Sequence, residues 1–442
     1  MFHFLIYIQP AWYYRLASDT RAPLLADIDK LSEEDCRLID PVADYEDPRA
    51  MRMDAAFQGL LRGIIPATAE ALRPEDVHTV THIGDNYRFV RRYYGLKWSL
   101  YIYLLRMVTF HQPFRETRCF LASGRVRRMQ PYSRHKVYEG YEQFDSPLVR
   151  SAPRVSVVIP TLNRYVYLKD VLSDLEKQDY RNFEVLVCDQ TEPIQEDIYQ
   201  NTSLDLKLIR QSEKALWLAR NRCIEQADGT YILLFDDDSR VEPDWITQHL
   251  KCVDYFGVRI SAGVTHTLVG HGLSPKETYF HLSDVFDTGN ALVHKEVFQQ
   301  AGLFDRQFEK QRMGDGEFGM RAVLSGEKII SNFKAMRIHL KVETGGLRQM
   351  GSWDALRPKK LLAPRPVPSV LYFIRQYFGP SAALSYLAIN LPSSFIPYKW
   401  KKSRGLKALS FLLMPVYLPL MLYVGCRSWA KATSMLKRGR IA

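Results

Sequence analysis

The chain has only six cysteines in 442 residues (Cys36, Cys119, Cys188, Cys223, Cys252 and Cys426), with no CxxC and no paired spacing. That excludes a disulfide framework and predicts buried thiols in a reduced, intracellular compartment. Low-complexity tracts are absent too, so an ordinary folded protein of two or three units is expected from the length. The N-terminal MFHFLIYIQPAWYY is apolar but lacks a basic n-region and a small-residue cleavage site. It is therefore not a signal peptide, and it predicts a first strand. Acids are missing altogether after Asp354, where 15 Lys/Arg stand alone.

That last absence belongs to a wider asymmetry beneath the net charge of +11. From Met1 to Asp85 there are 8 basic residues against 15 acids, and from Asn86 to Lys136 there are 12 against the single Glu116. Between Ser151 and Asp354 the count is 24 to 30. A mildly acidic middle between two basic flanks points to an anionic partner, either nucleic acid or phospholipid headgroups. No RNP1 sequence or zinc knuckle accompanies the basic segments, so nucleic acid is set aside in favour of an anionic membrane surface.

The middle of the chain reads as alternating strands and helices. VSVVIP from Val155, FEVLVC (Phe183 to Cys188), LKLIR (Leu206 to Arg210) and TYILLF (Thr230 to Phe235) are short apolar runs of buried-strand character. Between them Leu168, Val171, Leu172 and Leu175, then Leu216, Ala219, Cys223 and Ala227, recur at helical spacing. The pattern predicts an α/β unit with a mostly parallel mixed sheet, whose ligands bind beyond the carboxyl ends of the strands. Residues 124–153 read as a basic linker and 1–123 as an accessory region. Past Arg357, prolines give way to Ala408–Cys426, a 19-residue run without a charge. It would be about 28 Å long as a helix, but Pro415 and Pro419 lie inside it and cations flank both ends. A kinked helix in or on the cytoplasmic leaflet is favoured over a true span.

The chemistry gathers after TYILLF, where Asp236, Asp237 and Asp238 follow directly. Adjacent carboxylates repel unless a cation neutralises them. Asp236 and Asp238 are two apart and in extended backbone would project to one side, ready to serve a nucleotide diphosphate through one hard metal ion.

The segments VVIPTLNR (Val157 to Arg164), VLVCDQTEP, LARNRCIEQADGTYILLFDDD and GNALVHKEVFQQAGLFD resemble, in this order, the nucleotide-sugar domain of family 2 glycosyltransferases, which have the GT-A fold. The resemblance covers Arg154 to Gly346. It implies that Thr161 and Asp189 hold the nucleoside with Asn163 or Arg164 nearby, and that Arg220 faces the diphosphate. Asp236, Asp237 and Asp238 then form the acidic motif of the donor site. In GDGEFGMR (Gly314 to Arg321), Asp315 falls on the catalytic base, which takes the acceptor's proton in an inverting displacement. Gly314 stands where an acid is usual, with Glu317 as a fallback. His339 is placed with Asp238 in the metal shell, which suits Mn²⁺ or Mg²⁺. Gly345-Gly346 and Arg348 would close over the diphosphate, while Asn290 and Trp353 would lie on the acceptor side. The HLK…GG…R pattern is similar to rhamnosyl- and galactofuranosyl-transferring relatives.

The expected domains are thus an N-terminal accessory domain (1–123), the linker (124–153), a GT-A domain (154–356) and a membrane-associating helical region (357–442). The expected activity moves a sugar from a UDP-, dTDP- or GDP-linked donor to a glycan or lipid-linked acceptor, at the cytoplasmic face of a membrane. A processive polysaccharide synthase is the rival, but QMGSW (Gln349 to Trp353) lacks the Arg of its QxxRW motif. A catalytically silent carbohydrate- or lipid-binding protein on the same fold would not require Asp236, Asp238 and Asp315 together.

Overall fold

The computed structural model describes residues 1–8, 19–20, 22–40, 45–267, 272–342, 345–347, 355–356, 358, 360–396, 400 and 403–442. Its frame is a nine-stranded sheet in the order β3-β2-β1-β4-β8-β6-β9-β5, with β7 paired to β9. The first four are β1 (Val155–Thr161), β2 (Phe183–Asp189), β3 (Leu206–Arg210) and β4 (Tyr231–Phe235). They run parallel, as the apolar runs predict. β8 (Asn290–His294) is antiparallel to β4 and to β6 (Ile260–Thr267). β9 (Ile329–His339) runs parallel to β6 and antiparallel to β5 (Ser239–Val241) and β7 (His281–Leu282).

The first strands are buried on both faces because each side of the sheet is covered. Val155, Val157 and Ile159 pack with Leu168, Val171 and Leu175 of the helix Tyr165–Glu176 and with Trp245, Ile246 and Leu250 of Trp245–Phe256. Val158, Leu186 and Leu234 point the other way, onto Ala219 and Cys223 of Leu216–Gln226 and Phe318 of Gly314–Leu324. Cys188, Cys223 and Cys252 are buried, as their apolar contexts suggest.

The expected first strand is not formed. His3–Tyr7 is a 3-10 helix, and Phe2 makes only an isolated bridge to Val80. Phe4, Leu5, Tyr7 and Ile8 bury themselves against Phe57, Tyr87 and Phe89, so turn spacing rather than alternation serves the local core. The helices that matter below are α1 (Ile83–Tyr93), α2 (Gly95–Val108) and α3 (Pro113–Ala122), which contact one another in an N-terminal cluster. Residues 124–153 form a strap tying this cluster to the sheet. Met129 N donates to Arg92 O, Tyr138 O–H donates to Gly63 O, and buried Tyr141 reaches Gln248.

At the C-terminal end, Pro368–Phe395 bends at Gly379, and the apolar run is split at Leu413 between Arg404–Leu412 and Met414–Arg438. Among the described residues no helix is long and apolar enough to cross a membrane.

Candidate functional site

Strand register builds the first half of the site. Pairing Val155 with Phe183 carries down the ladder to pair Thr161 with Asp189, which sets two polar side chains side by side at the carboxyl ends of β1 and β2. Asp189 is buried and accepts hydrogen bonds from Tyr165 O–H (2.7 Å), Tyr199 O–H (2.8 Å) and Thr191 N (2.9 Å). Asn163 sits just beyond with a left-handed backbone (φ 55°), its N–H donating to Thr191 Oγ1 at 2.8 Å.

The acidic triplet supplies the second half. It is a turn between β4 and β5 rather than extended strand, so the turn, not strand alternation, sets the directions of its side chains. Asp236 lies between two buried guanidiniums, accepting from Arg220 Nη2 and from Arg337 Nη1, each at 2.8 Å. Asp237 turns inward to Thr161 Oγ1 (2.8 Å) and Arg164 Nη1 (2.9 Å). Asp238 faces Arg164 at 3.0 Å and His339 Nε2 at 3.3 Å. The β5–β9 ladder is the reason His339 is there, since it pairs Ser239 with His339.

Three neighbouring carboxylates are tolerable only with cations interleaved, and the shifts in acidity follow the partners. Burial pushes the Asp237 carboxyl up to about 6, although Arg164 and Thr161 pull against it. Burial also opposes ionisation of Asp238, but the hydrogen bond from His339 and the charges of His339 and Arg164 outweigh it and hold this carboxyl below its ordinary value. Burial likewise works against the Arg337 charge, yet Asp287 and Asp236 win and raise its affinity for the proton. Arg337 also donates to Asp287 (2.9 Å), Thr265 Oγ1 (2.9 Å) and Ser239 Oγ (2.9 Å).

Ligand atoms of Asp236, Asp238 and His339 lie within 4.8 Å of one another. Two carboxylate oxygens and an imidazole nitrogen are a donor set that fits Mn²⁺ or Mg²⁺. This adds Asp236 to the expected pair. The glycine segment after His339 folds back over the same end of the sheet. Gly346 N donates to Leu162 O at 2.7 Å, and both Gly345 and Gly346 have positive φ against Asn163 and Arg164.

Asp315 stands in the first turn of the helix Gly314–Leu324, half-buried, with Oδ1 accepting from Gly316 N at 2.8 Å. The glycine before it has a packing reason. A Cβ at Gly314 would lie 2.3 Å from the Trp217 ring. Trp217 in turn stacks on Arg220 (5.5 Å to the ring centroid), which binds Asp236. The residue that breaks the family pattern therefore braces the acidic turn.

Two expected roles are corrected, Asn290 on the acceptor side and Glu317 as the fallback base. Asn290 is fully buried and saturated, accepting from Trp245 Nε1 (2.9 Å), facing His249 Nε2 (3.1 Å), and donating to Val264 O and Ala335 O. It locks β8, β6 and β9 together. Glu317 is buried in an ion pair with Arg321 (2.8 Å) and accepts from Tyr377 O–H (2.7 Å), so it holds the helix to the C-terminal region and is not a spare base. Arg348 and Trp353 lie outside the described residues.

Several participants were not singled out from the sequence. Arg337 had a readable signal, being two residues before His339 on one strand and so on the same side of it. Tyr165, Tyr199 and Asp287 had none. Glu309 accepts from the N–H groups of Leu216 (2.8 Å), Trp217 (2.8 Å) and Leu218 (2.9 Å), and so caps the helix that carries Arg220.

Residues 156–296 match the family model of glycosyl transferase family 2 and are a domain of that family. With this sheet the α/β unit has the GT-A fold expected of it. The chain is 26% identical over 170 residues to glycosyltransferase GlyA of Streptococcus pneumoniae serotype 4, covering 36% of this chain and 22% of that protein. It is 24% identical over 212 residues to the PGL/p-HBAD biosynthesis glycosyltransferase of Mycobacterium tuberculosis, covering 45% of this chain and 80% of that one. Chondroitin synthase of Escherichia coli is 26% identical over 173 residues, which cover 36% of this chain and 24% of the synthase. The chain thus spans about a quarter of the length of the pneumococcal and E. coli relatives. Among solved structures it is similar to S. aureus TarS 1-349 in complex with UDP-GlcNAc (15% identity, 65% of this chain and 92% of that one, TM-score 0.42).

Proposed function

We propose that the chain is an inverting glycosyltransferase that moves one sugar from a UDP-, dTDP- or GDP-linked donor to a hydroxyl of a lipid-linked glycan, in cell-surface polysaccharide assembly. The observation that carries this reading is the cluster of Asp236, Asp238 and His339 at the carboxyl end of a family 2 sheet, beside Thr161 and Asp189. Thr161, Asp189 and the Asn163–Arg164 segment bind the nucleoside. A nucleoside arriving at Asp189 exchanges the Tyr165 or Tyr199 hydrogen bond for its own.

Asp236, Asp238 and His339 would hold Mn²⁺ or Mg²⁺, which when bound neutralises the leaving diphosphate without proton transfer. Arg220 and Arg164 keep the carboxylates apart and oriented. Asp315 accepts the proton of the acceptor hydroxyl as its oxygen attacks the anomeric carbon. The bond to the nucleotide's phosphate oxygen breaks on the opposite face, inverting the configuration. A location at the cytoplasmic surface of a membrane, where such an acceptor is presented, is supported by the C-terminal helices, in which Leu412, Val416, Leu418 and Leu422 are exposed in a stretch that has no acid after Asp354.

The test is nucleotide release from a panel of UDP-, dTDP- and GDP-sugars in the presence of lipid-linked glycan. Asp315→Asn is expected to abolish transfer while leaving donor binding nearly intact. Unchanged turnover would remove Asp315 from the mechanism.

A further inference from the structure

The hairpin of α2 and α3 carries an apolar outer face that nothing in the sugar chemistry uses. Leu96, Leu100, Leu104 and Val108 recur every four residues along α2, and all four are exposed. At the tip, Phe110 is 86% exposed and Phe114, at the start of α3, is 94% exposed. Phe110 and Gln112 both have left-handed backbones (φ 55° and 38°). A bulky side chain held at positive φ and pushed into solvent costs free energy twice, once in strain and once in hydration.

This face is not the by-product of a loose segment. The inner side of the hairpin is pinned by buried Arg106, which binds Glu116 (2.7 Å) and Tyr7 (3.1 Å), while Glu116 also accepts from Tyr87 (2.7 Å). Because α1, α2 and α3 contact one another, the outer faces of α2 and α3 turn away from α1.

Charge decides what the face meets. Glu116 is the single acid between Asn86 and Lys136, and Arg106 consumes it. Of the remaining cations there, Arg88, Arg92, Arg134 and Lys136 pair with acids outside the segment, whereas those on and just after the hairpin have no acidic partner among the described residues. Exposed Lys97, Arg115 and Arg118 lie on the hairpin itself, and Arg125, Arg127 and Arg128 follow it. Arg115 and Arg118 also line a polar cavity of about 430 Å³ shared with His82, Arg88 and Glu46, in which Glu46 pairs with Arg88 (3.1 Å) and so leaves Arg115 and Arg118 to meet a phosphate headgroup. Apolar side chains projecting beyond guanidiniums complement acyl chains lying beneath phosphates.

We infer that the α2–α3 hairpin is a second membrane anchor, inserting Phe110 and Phe114 into an anionic phospholipid bilayer while Arg115 and Arg118 bind its headgroups. The inference rests on the membrane-surface part of the proposed function and is independent of the donor site.

It is tested with the full chain by co-sedimentation with vesicles of phosphatidylcholine alone or with about a third phosphatidylglycerol. The wild type is expected to pellet with the anionic vesicles and to be released by salt. Phe110→Ser/Phe114→Ser is expected to weaken binding at least about tenfold without changing the melting temperature, both side chains being solvent-exposed. Arg115→Gln/Arg118→Gln is expected to weaken it about as much and to reduce its salt dependence. Equal pelleting of the phenylalanine variant and the wild type overturns the hairpin anchor. If Leu412→Ser/Val416→Ser alone then abolishes pelleting, the membrane reading survives through the C-terminal helices. No pelleting of wild type with either vesicle overturns both. Dimers in sedimentation velocity that the phenylalanine variant dissociates would make the face a self-association surface and also overturn the inference.

Discussion

Replacing Gly314 with alanine sets two well-known effects against each other. Gly→Ala within a helix ordinarily stabilises by up to about 1 kcal/mol, because the unfolded chain loses freedom. Here the added Cβ would lie 2.3 Å from Trp217 Cζ2, 2.5 Å from Cε2 and 3.0 Å from Phe308 Cβ. Carbon atoms rest about 3.5–4.0 Å apart, so the indole must retreat by more than about 1 Å. Trp217 has little room to do so, being buried, tilted against Phe304 at 5.2 Å and fixed through its backbone N–H to Glu309. Overpacking of this kind costs about 1–3 kcal/mol and outweighs the helix gain. The expected net loss is about 1–2 kcal/mol in urea unfolding. Moving Trp217 also displaces Arg220 from Asp236, so nucleotide affinity measured by calorimetry should fall by about tenfold, equivalent to one lost charge-assisted hydrogen bond. Gly314→Glu, which restores the acid usual in the family, should be worse than Gly314→Ala. An alanine variant as stable as wild type with unchanged nucleotide binding would refute the packing argument.

Arg337→Ala leaves half-buried Asp236 and Asp287 without their shared cation, although Asp236 keeps Arg220, and a loss of about 3 kcal/mol, the low end for a broken buried pair, is expected in the same unfolding assay; less than about 1 kcal/mol would show that solvent replaces the guanidinium. Asn290→Ala should lower the melting temperature without a selective rise in acceptor KM, and the reverse pattern would return Asn290 to the acceptor side. Burial depresses the His249 imidazole to about 4. The unfolded chain therefore binds more protons between about pH 4 and 6.5, so stability is full above pH 6.5 and falls by up to about 3 kcal/mol as pH drops to 4. His249→Gln should flatten that part of the stability–pH curve, and an unchanged slope would assign it to other groups.

What could be read in the sequence was what is local. Val155–Thr161 and Phe183–Asp189 announce themselves as buried strands because both faces are covered, and the acidic triplet stands out because like charges rarely sit together without cause. The partners of that triplet were harder to see. Arg337 and His339 reach it only through the pairing of β5 with β9, about a hundred residues apart in the chain, and no periodicity encodes such a pairing. Asn290 and Glu317 misled because a polar residue in a family motif looks the same in sequence whether it meets solvent or saturates a core. The N-terminal segment misled for a related reason, since aromatic density suits a strand and a 3-10 turn equally. The packing reason for Gly314 lies in Trp217, nearly a hundred residues away in the chain, and so is not visible in the local sequence.

The central claim is that Asp236, Asp238 and His339 form a metal-dependent nucleotide-diphosphate site. Calorimetric titration of the wild type and of Asp238→Ala with UDP, dTDP and GDP, each with Mn²⁺ and with chelator, tests it most directly. The account predicts that one nucleotide binds the wild type with Mn²⁺, that chelator weakens this binding at least about a hundredfold, and that Asp238→Ala abolishes the metal dependence. Folded wild-type protein that binds none of the three, or binds equally well in chelator, would contradict it.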